Sequence, residues 1–174
     1  SKIWWDIRPS ARFPTLEMRI TDVCTRIDDA ISVAALYRCI LRMLFRLRRD
    51  NLHWRQYPLF LLNENRWRAQ RYGLSEGLFD FGRGSIVPFA NLLDELIALV
   101  MPDAKHFGCV AEVEHSREIL ARGTSADAQL AVFKSAIDEG LDEAAALRKV
   151  VAALIETTAG TGQAPAKRKS GGKR

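Results

Sequence analysis

The stretch Thr15-Leu16-Glu17-Met18-Arg19-Ile20-Thr21-Asp22 alternates apolar and polar residues with a period of two. That period predicts a strand, with Leu16, Met18 and Ile20 on one face and Thr15, Glu17, Arg19 and Thr21 on the other. Trp4 to Arg8 alternates as well, setting Trp4, Asp6 and Arg8 on one face and Trp5 and Ile7 on the other. Pro9 and Pro14 bracket a loop between the two runs, because proline cannot donate to a sheet ladder. The pair therefore predicts an antiparallel hairpin, in which Asp6, Arg8, Glu17 and Arg19 can share one face.

From Asp28 to about Arg49 the period changes to that of a helix. Val33, Leu36, Ile40, Leu44 and Leu47 mark a core face, and Arg38, Arg42, Arg46 and Arg49 form a stripe on another. Asp28 and Asp29 at the start and Arg48 and Arg49 at the end suit the helix dipole. Pro58 and Gly73 frame a second helix. Leu78 to Phe81 and Ser85 to Phe89 predict short strands around the turn Gly82-Arg83-Gly84. Beyond Pro88 the pattern is helical, with helices near 90–100, 106–122, 126–139 and 142–158 separated by Pro102, Gly123 and Gly140. Strands, a long helix, a second hairpin and a helical half make an α+β pattern rather than an alternating βαβ one.

With 174 residues, 48% of them apolar and 27% charged, the chain is long enough for a folded domain with a core. No apolar run approaches the roughly 20 residues of a membrane span, and the opening residues are not a signal peptide. Three cysteines, Cys24, Cys39 and Cys109, are an odd count with no CxxC spacing. This argues against a disulfide framework or zinc site and for a reducing, cytoplasmic setting. The net charge of +5 resides in the tail from Gly160 to Arg174, which holds Lys167, Arg168, Lys169, Lys173 and Arg174 and no acid. Without those five the 26 basic residues become 21, matching the 21 acidic ones. The expected organisation is a folded part over residues 1–158 and a disordered basic tail over 159–174. A solvated tail is the plainer reading of such a run than a nucleic-acid contact.

Glu17 and Arg19 are the sharpest chemical pair. On spacing alone they read as a surface ion pair, which is worth little. The arginines near them (Arg8 and Arg12), and the later Arg66, Arg68 and Arg71, shift the reading toward developing negative charge on a transferred phosphoryl group. Guanidinium donors and a metal ion serve that charge together. Asn65 and Arg68 are spaced to share a helix face and reach a ligand together, although Glu64 and Arg68 also fit a plain i,i+4 ion pair. His115, among Glu112, Glu114 and Glu118, reads as part of an exposed helix face, since no HExxH spacing is present. The arginine stripe of the long helix reads as a solvated face or as partners of acids elsewhere.

Three motifs in order add a resemblance. Trp4-Trp5-Asp6-Ile7-Arg8-Pro9, Leu16-Glu17-Met18-Arg19 with Asp22, and Glu64-Asn65-Arg66-Trp67-Arg68-Ala69-Gln70-Arg71-Tyr72-Gly73-Leu74 together resemble the ATP-dependent carboxylate–amine ligases of the glutamate–cysteine ligase type 2 family. The LEMR core is also similar to the matching strand of plant glutamate–cysteine ligases. The resemblance runs from residue 1 to about residue 158. It implies part of a glutamine synthetase-like catalytic fold, with antiparallel strands and a helical C-terminal half. It implies ATP and magnesium or manganese as cofactors, a glutamate-like carboxylate activated as an acyl phosphate, and an amine such as that of cysteine as acceptor. By the same resemblance Glu17 would be a metal ligand, Arg19 a catalytic contact to the phosphate or acyl phosphate, and Arg8 a catalytic residue near substrate or nucleotide. Asn65, Arg66 and Arg68 would lie near nucleotide or substrate.

The chain departs from that family in length and in lacking an early strand with clustered glutamates. The expectation is the C-terminal portion of a ligase, inactive alone, which self-associates or needs a missing N-terminal half. Two other classes stand beside it: a non-catalytic helical interaction domain, and a nucleic-acid binder acting through the tail and the arginine-rich helix.

Overall fold

The computed structural model describes residues 5–160; the basic residues of the tail and Trp4 lie outside the described residues. The chain divides into two compact units, Ser1–Thr124 and Ser125–Arg174. The described elements are helices and short antiparallel strands, consistent with an α+β chain.

The first unit opens on β1 (Ile7–Pro9) and β2 (Leu16–Met18), an antiparallel pair in the register Ile7↔Met18, Arg8↔Glu17 and Pro9↔Leu16. The Arg19 amide donates to the Asp6 carbonyl at 2.7 Å and carries the pairing one step further. The connecting turn is shaped by Ser10, whose Oγ accepts from the amides of Arg12 (3.2 Å) and Phe13 (3.0 Å). Both strands are shorter than the alternation predicts. Ile7 is 42% and Leu16 50% exposed, so among the described residues the apolar face gains little packing to extend the ladder.

α1 (Ile27–Arg49) is the spine of the unit. It packs against α3 (Phe89–Phe107) and α4 (Val110–Glu114) around a core of Cys39, Met43, Ile97, Val100, Ala104 and Val113. The buried line of α1 runs through Ser32, Cys39 and Met43, flanked by the partly buried Leu36 and Ile40. That is one position off the expected Val33-Leu36-Ile40-Leu44-Leu47 face, and Leu44 is exposed. Each helical face carries enough apolar residues that the partner helix decides which row faces inward.

α3 continues through Pro102, where the sequence predicts a break, and ends at Gly108 in the left-handed conformation (φ 66°). A proline costs a helix the hydrogen bond to the carbonyl four residues back. Here that carbonyl belongs to Ala98, and both Ala98 and Pro102 lie on the solvent-exposed face where water can take its place. The next residue, Asp103, is buried and tied to α1, which holds the helix on course. The helix expected over 106–122 is instead split, with α4 followed by α5 (Ser116–Arg122).

Between α1 and α3 lie α2 (Leu59–Tyr72) and a second hairpin, β3 (Leu78–Asp80) with β4 (Ser85–Val87). Pro58 and Gly73 bound α2 as their chemistry predicts. Asp80 Oδ1 accepts from the amides of Gly82 (2.8 Å) and Arg83 (3.1 Å), which closes the turn between the two strands. The second unit is a helical hairpin of α6 (Ser125–Asp138) and α7 (Glu143–Ala159). Small residues at the seam, Ala136 and Ala146, let the helices approach, and the Asp142 side chain caps α7 by accepting from the Ala145 amide at 2.6 Å.

Candidate functional site

The register of the first hairpin sets Arg8 directly opposite Glu17 on one face, and Arg19 follows two residues along the same strand direction. Arg8 donates to Glu17 Oε2 from Nε at 2.9 Å and from its terminal nitrogen at 2.5 Å. Arg19 donates to Glu17 Oε1 at 3.1 Å. One carboxylate is thus held between two guanidinium groups, and the cluster carries one net positive charge. The two arginine side chains are 28% and 26% exposed and Glu17 49%, so the pairs are screened and add little stability. A guanidinium has five N–H donors in a fixed fork, and a positive cluster of this kind suits an oxyanion such as a phosphoryl group.

The second motif reaches the first through Arg66. From α2 it donates to both oxygens of Asp6, at 3.0 and 3.2 Å, across sixty positions of sequence. Arg66 therefore stands at the edge of the hairpin cluster. Asn65 and Arg68 turn to the other hairpin. The Asn65 amide donates to the Phe79 carbonyl and its oxygen accepts from the Phe79 N–H, both at 2.8 Å. The side chain acts as an extra strand residue beside β3. Arg68 donates to the Glu76 carbonyl at 3.4 Å, and its Nε is buried without a hydrogen-bond partner. Asn65 and Arg68 do share a face, as their spacing predicts, but that face meets residues 76–79. The predicted Glu64–Arg68 helix pair gives way to this contact.

Glu17 has both oxygens engaged by arginine. Among the described residues no group of three or more His, Cys, Asp or Glu side chains could hold a metal ion. A divalent cation of the magnesium or calcium type takes about six or more oxygens. The residues described here do not make such a site by themselves.

Two further charge clusters involve partners that the sequence does not name, and the first bears out the expected pairing of the arginine stripe with an acid elsewhere. Asp103 is fully buried and accepts from Arg42 (2.5 Å) and from Arg46 (3.0 and 2.8 Å) on α1. Burial pushes its carboxyl up, but the hydrogen bonds from Arg46 and Arg42 outweigh this and hold it below the ordinary carboxylate value. Arg38 lies over the Phe107 ring at 3.8 Å. Three of the four stripe arginines, Arg38, Arg42 and Arg46, are thus spent on this chain's own packing, while Arg49 is exposed beside Asp50, and the polyanion reading of the stripe is not supported. Asp29 is the second case. Its Oδ1 lies 2.8 Å from His115 Nε2 and its Oδ2 accepts from Arg122 at 2.6 Å. His115 is therefore a partly buried tie between α1 and the α4–α5 junction, not part of an exposed helix face. The only available signal was a charged residue at the edge of an apolar run, which names no partner.

The family model described as glutamate-cysteine ligase family 2 matches residues 1–149. The chain belongs to this family. It is 64% identical over 158 residues to a protein of Rhodospirillum rubrum with the curated name "Putative glutamate--cysteine ligase 2", a match covering 91% of the chain and 41% of that protein. A Jannaschia relative of the same name is 56% identical over 156 residues, covering 90% of the chain and 41% of the relative. A Bradyrhizobium diazoefficiens relative, again of that name, is 41% identical over 165 residues, covering 95% and 38%. The chain thus spans about two fifths of the length of these relatives, in their C-terminal half. No solved structure matches the chain. Among the described residues no helix is long and apolar enough to cross a membrane.

Proposed function

We propose that this chain is the C-terminal catalytic portion of an ATP-dependent carboxylate–amine ligase of the glutamate–cysteine type. In the proposed reaction a glutamate-like carboxylate takes a phosphoryl group from ATP, and an amine such as that of cysteine displaces phosphate to leave an amide. The observation that carries the reading is the Arg66–Asp6 contact, which joins the α2 motif to the Arg8–Glu17–Arg19 cluster in a chain of this family. Arg8 and Arg19 would bind and orient phosphoryl oxygens, and Glu17 keeps both guanidinium groups facing the same side of the strand pair. Arg66 would bring α2 to the edge of the cluster. Asn65 and Arg68 would shape the site indirectly, by fixing α2 against residues 76–79.

Glu17 is proposed as one ligand of magnesium or manganese only where further carboxylates join it. The donors described here are too few, and no step is routed through the ion. Those carboxylates would come from a longer protein or a separate partner. The exposed apolar face of the hairpin, with Ile7, Leu16 and Ile20, offers the surface such a segment would cover.

The test is ADP release with glutamate and cysteine, from the chain alone and after mixing with the separately produced N-terminal part of the Rhodospirillum rubrum relative. The expected result is negligible turnover alone and restored turnover on mixing, lost again with Arg8→Ala. Robust turnover by the chain alone would overturn the incomplete-site reading. No turnover on mixing, with a complex formed, would count against the ligase reading.

A further inference from the structure

All three cysteines are free thiols, but two of them are not isolated. Cys39 Sγ, in the middle of α1, lies 3.7 Å from Cys109 Sγ, at the joint between α3 and α4. The two residues are seventy positions apart in sequence. A disulfide has its sulfurs about 2.05 Å apart, so closure asks for an approach of only about 1.7 Å. The two partners differ in what they can give. Cys39 is fixed within a long helix and fully buried. Cys109 is only partly buried and sits outside regular helix, directly after the left-handed Gly108. The Cys109 backbone is held, its N–H donating to the Ala104 carbonyl at 3.0 Å and its carbonyl accepting from the Val113 N–H at 3.1 Å, so the approach is made by rotation of the two side chains about Cα–Cβ, which leaves α1 wound.

We propose that Cys39 and Cys109 form a reversible disulfide on exposure to a low-molecular-weight disulfide such as oxidised glutathione. The proposal is independent of the ligase reading. Cys109, the more accessible sulfur, loses its proton and attacks one sulfur of the small disulfide. A mixed disulfide forms and one small thiol leaves. Cys39 then loses its proton and attacks Cys109 Sγ, forming the internal bond and releasing the second small thiol. Two protein thiols are oxidised and one small disulfide is reduced to two thiols, so atoms and electrons balance. Burial, and then the contact with Cys109, push the Cys39 thiol up to about 12. Its attack is accordingly the slow step and speeds up as pH rises. The bond would join α1 to the α3–α4 joint across the centre of the core of the first unit.

The test treats the native full chain with oxidised glutathione near pH 8, quenches with acid, alkylates in denaturant and maps a non-reducing digest by mass spectrometry. The expected product is a cross-linked peptide joining Cys39 to Cys109, reversed by dithiothreitol, with a rate that climbs between pH 7 and 9. The Cys24→Ser variant, in which only these two thiols remain, should lose both together and form the same link. Cys109→Ser should form no intramolecular link. The proposal is overturned if both thiols stay free, if glutathione remains on Cys109 without being displaced, or if the bond forms between chains or through Cys24.

Discussion

Asp103 offers the sharpest test of how the first unit is held together. Replacing it by alanine removes a fully buried carboxylate and leaves Arg42 and Arg46, which are 27% and 31% exposed, without their shared partner. Breaking a buried ion pair by deleting one member costs about 3–5 kcal/mol when the remaining charge cannot reach water. These guanidinium groups can draw some water in, so the expected loss is about 3 kcal/mol, or a fall of about 10 °C in Tm.

Urea unfolding followed by tryptophan fluorescence measures it cleanly. All four tryptophans, at positions 4, 5, 54 and 67, belong to the unit Ser1–Thr124, so the helical hairpin of the other unit stays silent. The pH dependence supplies a second handle through Asp103→Asn. The folded carboxyl titrates below its ordinary value. Its stabilising contribution is therefore full above the unfolded pKa of about 3.9 and is lost as pH falls through the lower folded value. The advantage of the natural chain over Asp103→Asn should shrink below about pH 4. An alanine variant within about 1 kcal/mol of the natural chain at pH 7, or an advantage that does not change between pH 6 and 3, would refute the reasoning.

Two further outcomes follow from local geometry. Gly77→Ala should destabilise the first unit by about 2–4 kcal/mol, because a Cβ there would sit 2.3 Å from the Val87 carbonyl oxygen at a φ of +68°. Gly108→Ala, in the left-handed region (φ 66°, ψ 28°) with open space around it, should cost only about 1–2 kcal/mol in the same fluorescence assay; equal costs at the two sites would rule out the close approach as the cause. Asn65→Asp removes the donor to the Phe79 carbonyl while keeping the acceptor, and should cost about 1–2 kcal/mol. The quantity to measure is the urea midpoint together with amide exchange at Phe79, and unchanged protection there would mean that the amide bridge does not hold α2 to β3.

The sequence by itself determined what depends on near neighbours. A period of two placed Arg8, Glu17 and Arg19 on one face of a hairpin, and the register bears this out. Pro58, Gly73, Gly140 and Asp142 marked the ends of α2, α6 and α7 to within a residue or two, because capping and turn chemistry act within one helical turn. Three motifs in order were enough to indicate the family to which the chain belongs.

What only the tertiary structure decided involves partners far along the chain. The inward row of α1 moved to Cys39 and Met43 because α3 and α4 pack there. Pro102 stayed inside α3 because its lost hydrogen bond falls on the wet side of a helix anchored through Asp103. The arginine stripe found its acid 57 to 61 residues away, and Asp29 found Arg122 across 93. Arg66 went to Asp6 and Asn65 to Phe79, dividing one short motif between two hairpins. A local period says which residues share a face, but the free energy of burying or pairing that face depends on what is brought against it, and this is set only when the whole chain folds.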